Sequence, residues 1–256
     1  MGVLSREYPP DVYGGAGVHV DFLVRELRRL VDVDVHCIGP VRPGAVAHRP
    51  TPSMAGANPA LRTISVDLSM ANAVTGCDVL HSHTWYANLA GVLGGLLHGV
   101  PHVLTAHSLE PQRPWKIEQL GGGYRLSCWA ERTAYEAAQA IIAVSAGMKR
   151  DVLAVYPFVP AERVHVIHNG IDAGLYAPDR GTDQLHRHGI DPDRPFVLFV
   201  GRITRQKGVE HLLAAARSFD PAAQLVLCAG QPDTPELAAA TTAAVAELQR
   251  RRSGVV

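Results

Sequence analysis

The sequence predicts an α/β fold: one doubly wound parallel sheet, a linker, and the opening strands of a second sheet that stops short. Three observations carry this. Short apolar β-type runs recur and are near-continuous rather than alternating, as suits parallel strands covered on both faces. Helical patterns fall between them. The stretch 172–194 breaks the rhythm with Gly174, Pro178, Gly181, Gly189 and Pro192 among mixed charges.

In chain order the strand candidates are Val3–Ser5, Val33–Ile38, Val79–His81, His102–Ala106, Ala140–Val144 and Val164–Ile167, then Phe196–Val200 and Gln224–Cys228. Val20, Leu23, Val24, Leu27, Leu30 and Val31 keep a 3.6-residue stripe and predict the first helix. Tyr124–Gln139 predicts another. Trp85–Leu109 lacks Asp, Glu, Lys and Arg, but Asn88, three histidines, its glycines and Pro101 suit a buried helix, a turn and a buried strand better than a membrane span. The expected domains are 1–172, a linker at 173–194, and 195–256 as the start of a second domain. About two βα units follow Phe196, against the roughly 150 residues such a domain takes. Half a sheet leaves a strand edge unpaired and apolar faces exposed.

Apolar residues make up 47% and charged residues 19% of the 256, so the chain reads as globular. Lys and Arg together number 24, as do Asp and Glu, which argues against a nucleic-acid partner. Cys37, Cys77, Cys128 and Cys228 lie far apart, with no C-x-x-C pair. Reduced buried thiols in a cytoplasmic protein are the simpler reading. The first residues carry no signal-peptide core.

Four patterns carry chemistry. Gly14-Gly15-Ala16-Gly17 follows the first strand and opens the first helix. Glycines there let a diphosphate approach a helix N-terminus, although a ligand-free tight turn reads the same. Gly201-Arg202-Ile203-Thr204-Arg205-Gln206-Lys207-Gly208 follows the strand at Phe196, where open α/β sheets bind ligands. Arg202 and Lys207 could meet a diphosphate there as a fork and a point charge; a solvated basic loop is the alternative. His81 and His83 share a strand face, and His107 closes the next strand. No carboxylate sits beside them, so no metal is expected: His81 reads as structural, His83 and His107 as cleft-facing donors. Arg113, Lys116 and Arg125 surround the loop after His107 and could grip an anionic acceptor, or be solvated. Asp32-Val33-Asp34 spells D-x-D but lies between a helix end and a strand start, and is read as structural.

These residues resemble the retaining glycosyltransferases of family 4, built from two Rossmann-like domains in the GT-B architecture. The matching segments are Tyr13–Gly17, His81-Ser82-His83-Thr84-Trp85, Thr105–Ser108, Ala138–Ser145, Val166–Asp172 and Gly201–Gly208. Ser5–Pro10, with Thr105–Lys116 and Glu118–Tyr124, looks like the actinobacterial glycogen synthase-like enzymes, which are similar to α-maltose-1-phosphate synthases.

The resemblance implies a hexosyltransferase moving glucose from ADP-glucose to glucose 1-phosphate or to an α-1,4-glucan, in glycogen and α-glucan biosynthesis. Gly14 and Gly15 would offer backbone N–H groups to the donor diphosphate. Arg202 and Lys207 would neutralise the departing nucleoside diphosphate. His107 would sit by the donor sugar. His83, Arg113, Lys116, Tyr124 and Arg125 become acceptor-side candidates. The acceptor would attack on the leaving-group face, with a phosphate oxygen taking the proton, so no cofactor, protein nucleophile or divalent metal is implied. The family's later pair of donor-binding glutamates lies beyond Val256, and relatives have a few more residues before Met1, so the chain is expected to be a fragment. Three alternatives stay open: a non-catalytic sugar-nucleotide-binding fragment, a family-4 enzyme with another acceptor, and a nucleotide-sugar epimerase of similar build.

Overall fold

A computed structural model describes residues 1–256 and divides into two units, Met1–Asp172 and Ala173–Val256. The first unit runs β1 (Gly2–Ser5), α1 (Gly15–Leu27), β2 (Asp34–Ile38), β3 (Val46–His48), α2 (Pro59–Ala73), β4 (Leu80–His83), α3 (Trp85–His98) and β5 (His102–Ala106). It continues through α4 (Ile117–Leu120), α5 (Gly123–Ala137), β6 (Ala140–Ala143), α6 (Ala146–Val155) and β7 (Val164–Val166). Its seven strands are all parallel, in the order β3-β2-β1-β4-β5-β6-β7.

The near-continuous apolar runs become central strands: Val3 and Leu4 of β1, Leu80 of β4 and Leu104 of β5 are fully buried. Helices cover them and bury their own stripes, as Val20 and Val24 of α1 do against Val3 and Val35. The stripe overreaches at one point. α1 ends at Leu27, so Leu30 and Val31 lie beyond it and are exposed.

Among the elements without an expectation from periodicity are β3 and α2. β3 is a three-residue edge strand beside β2, too short to show a pattern. α2 begins at a Pro at its first position, and the Asn58 side chain accepts a hydrogen bond from the Ala60 N–H at 2.9 Å, a standard helix-start signal. Asp67 of α2 is wholly buried, and burial holds its pKa well above the usual range against the lowering effect of the Ala90 backbone.

The second unit contains α7 (Asp183–Arg187), β8 (Phe196–Arg202), α8 (Val209–Ala215), β9 (Gln224–Gly230) and α9 (Pro235–Arg251). β8 and β9 pair in parallel as a two-stranded sheet, and Val255 bridges to Leu225 of β9. Leu213, Leu225, Leu248 and Val255 form its core. Phe196, Leu198 and Val200 are exposed, Val200 at 72%. The stretch expected as linker is partly structured. It carries α7, buries Ile190, and the Gln224 side chain both accepts from the Asp191 N–H and donates to the Asp191 carbonyl, at 3.0 and 2.8 Å. Glycine and proline there mark turns inside a folded segment. No helix is long and apolar enough to cross a membrane.

Candidate active site

The strand order places the first unit's switch point between β1 and β4: the chain proceeds from β1 to one side of the sheet and from β4 to the other. Loops at the carboxyl ends of strands diverge there and leave a crevice. β1 leads into the glycine loop and α1, β4 ends on His83, and β5 is followed by His107.

Backbone strain marks this spot. Thr84, between β4 and α3, has φ 64° and ψ 162°, a region costly for any residue with a Cβ, and its hydroxyl is buried without a partner. It turns the chain sharply off the strand end that carries His83.

Four histidines cluster there. His83 is fully buried; its Nδ1 lies 3.1 Å from Nε2 of His107, and its own Nε2 has no partner. His19 of α1 packs edge-on to His107, with ring centroids 5.1 Å apart. His81 Nε2 lies 2.7 Å from the Thr105 hydroxyl. Burial drives all four pKa values down: His107 to about 3, His81 to about 4, His83 well below its usual value, and His19 in the same direction. These rings are therefore neutral hydrogen-bonding groups at pH 7. The sequence reading placed both His83 and His107 in a cleft. The structure leaves only His107 half-exposed and puts His83 behind it. Ligand nitrogens of His19, His83 and His107 all lie within 4.8 Å of one another. His19 carries no motif signal because it sits within α1, with β2, β3 and α2 between it and β4.

The glycine loop differs from expectation in one amide. Glu7 Oε2 accepts from the N–H groups of Tyr13 and Gly14, both at 2.8 Å. Gly17 makes room for that carboxylate, since a Cβ there would fall 2.6 Å from Glu7 Oε2. The Gly14 amide is thus occupied from within. Gly15 is exposed, with nothing within 4 Å of where a Cβ would stand, and it is the open approach to the α1 N-terminus.

The segment after His107 is ordered, not an open loop. Lys116 is buried and pairs with Glu110 at 2.9 Å, its ammonium 4.9 Å from the Tyr86 ring centre. Lys116 is therefore the counter-charge of a buried carboxylate rather than an available cation. Arg113 lies 3.3 Å from the Ser108 hydroxyl and 3.5 Å from Glu110, with 21% of its side chain exposed. The Tyr124 hydroxyl donates to the Glu110 carbonyl at 2.8 Å. Arg125 is exposed on α5. Beneath them Glu131 accepts from the Glu110 N–H and the Tyr156 hydroxyl, at 2.8 and 2.6 Å, while burial lifts its pKa to about 8. Gly123 permits α5 to touch Asn58, whose Oδ1 a Cβ would meet at 2.0 Å.

In the second unit the loop after β8 turns through Thr204, whose hydroxyl accepts from the Lys207 N–H at 3.3 Å, to Gly208 at φ 64°. Lys207 is exposed. Arg202 pairs with Asp233 at 3.2 Å, from the loop after β9. Asp233 was missed because it lies 31 residues downstream of Arg202 and in no recognisable motif.

Residues 13–175 match the model of Glycosyltransferase Family 4. The whole chain is 59% identical to the α-maltose-1-phosphate synthase of Mycolicibacterium smegmatis, covering 67% of that protein. It also superposes along its full length on the Anabaena protein HepE in complex with UDP and glucose (TM-score 0.76, 16% identity, 68% of that chain). The sucrose-phosphate synthase of Thermosynechococcus elongatus gives a TM-score of 0.73 at 19% identity, over 100% of this chain and 70% of that one. The parallel sheet with its switch point between β1 and β4 and the match over most of the chain converge: this chain belongs to glycosyltransferase family 4.

Proposed function

We propose that the chain is a retaining glucosyltransferase that moves glucose from ADP-glucose to glucose 1-phosphate, forming maltose 1-phosphate. The observation that carries this reading is the 59% identity, over the whole chain, to proteins named α-maltose-1-phosphate synthase. The donor is a nucleotide sugar; HepE, a relative in fold, is described with UDP-glucose. Lys207, exposed, and Arg202, held by Asp233, neutralise the departing diphosphate. Gly15 offers its amide to a phosphate oxygen, with Gly14 shaping the turn. His107, neutral at pH 7, hydrogen-bonds the donor sugar rather than acting as a cation. The acceptor attacks on the leaving-group face, and a phosphate oxygen of the leaving group takes its proton. On the acceptor side Arg113 and Arg125 hold the phosphate. Lys116 and Tyr124 keep that segment in shape, and His83 orients His107.

One observation favours a second reading, a chain that binds nucleotide sugar without transferring it: the second unit has only two paired strands and an exposed apolar face. Mixing the chain with ADP-glucose and glucose 1-phosphate separates the two. ADP release that requires the acceptor supports transfer. Donor binding by calorimetry without ADP release supports the second reading, and absence of donor binding contradicts both.

A further inference from the structure

His19, His83 and His107 come from α1, the end of β4 and the residue after β5, and their ligand nitrogens converge within 4.8 Å. Burial keeps all three rings neutral, the form that binds metal. His83 forms the floor. It is fully buried, and its Nε2 has no hydrogen-bond partner. With no second partner fixing its tautomer, the proton between His83 and His107 can move and free a lone pair. His19 and His107 are partly buried, so the cluster reaches solvent on their side. His81, bound to Thr105, stays out.

We propose that these three histidines form a binding site for a divalent transition ion of the zinc type. Tetrahedral zinc–imidazole bonds of ~2.0–2.1 Å place ligand nitrogens about 3.4 Å apart, so the widest pair must close by up to roughly 1.4 Å. Rotation of His19, on the half-exposed face of α1, accomplishes this. Three neutral nitrogens with no carboxylate select zinc, cobalt, nickel or copper over magnesium and calcium, and the fourth position stays open to water or an anion. An ion there takes the His107 nitrogen that the donor sugar would use, and so blocks transfer. That consequence rests on the proposed role of His107; the binding itself does not.

The test is a cobalt(II) titration of the full chain, followed by visible absorption in excess magnesium. One cobalt per chain, with the bands of a four- or five-coordinate site and displacement by zinc, is expected. His19→Ala weakens binding at least tenfold. His19→Cys keeps binding and adds a thiolate charge-transfer band. His211→Ala, at an exposed histidine remote in sequence, changes nothing. The proposal is overturned if cobalt does not bind, or if His19→Ala leaves its affinity unchanged.

Discussion

Lowering the pH from 7.5 to 5 should destabilise the first unit, and the structure sets the slope. Burial holds His36 and His81 at about 4, His102 and His107 at about 3, and His83 well below its ordinary value. An unfolded histidine titrates near ~6.5, so below that pH the unfolded chain takes up at least five protons that the folded unit refuses, with His19 and His48 acting in the same direction. For these groups the folded pKa is depressed, and their stabilising effect is lost as pH falls. Two buried carboxyls act in the opposite sense. Asp67 and Glu131, the latter at about 8, keep protons that the unfolded chain releases above ~4. Five less two leaves roughly three protons in favour of the unfolded state near pH 5.5. Stability then falls by about 4 kcal/mol per pH unit, against a total of ~5–15 kcal/mol. Trp85, Trp115 and Trp129 all lie in this unit, so tryptophan fluorescence follows it selectively. Urea midpoints at pH 7.5, 6.5 and 5.5 should drop steeply between the last two. A midpoint that is flat, or rises with acid, refutes the reasoning.

Three further predictions use the same reporter. Asp67→Asn removes a buried titrating group and should raise stability at pH 7.5, the gain fading toward pH 4.5; urea unfolding at both pH values checks this. Thr84→Gly relieves ~1–3 kcal/mol of backbone strain and an unpartnered hydroxyl, set against ~1 kcal/mol of added chain entropy, for a net gain near 1 kcal/mol in the same measurement. Lys116→Ala leaves the buried Glu110 carboxylate with only Arg113, at 3.5 Å, and should destabilise by about 3 kcal/mol, whereas Arg125→Ala should stay within ~0.5 kcal/mol, so equal effects contradict the assignment of Lys116 as an internal counter-charge.

The sheet was legible because its strands are buried on both faces, and continuous apolar runs such as His102–Ala106 announce themselves. Edge strand β3 had no such signature, and the α1 stripe ran on through Leu30 and Val31 because periodicity does not register where the helix gives way to a turn. Motifs located the residues near the crevice but not their partners. Glu7 on Gly14, Glu110 on Lys116 and Asp233 on Arg202 are tertiary pairings that no spacing encodes. Each alters the chemistry: Glu7 occupies the Gly14 amide, Glu110 commits the buried Lys116 to an internal pair, and Asp233 orients the partly exposed Arg202. His19 shows the same limit from the other side: an unremarkable helix residue becomes part of the site only once α1 packs beside β4 and β5.

The central claim is retaining transfer of glucose to glucose 1-phosphate. Its most direct test is ³¹P and ¹H NMR of the chain mixed with ADP-glucose and glucose 1-phosphate. The account predicts ADP and maltose 1-phosphate in equal amounts, an α-configured new linkage, and at least a tenfold slower reaction for Lys207→Ala. A β-linked product, free glucose in place of the disaccharide phosphate, or a rate indifferent to Lys207 would contradict it.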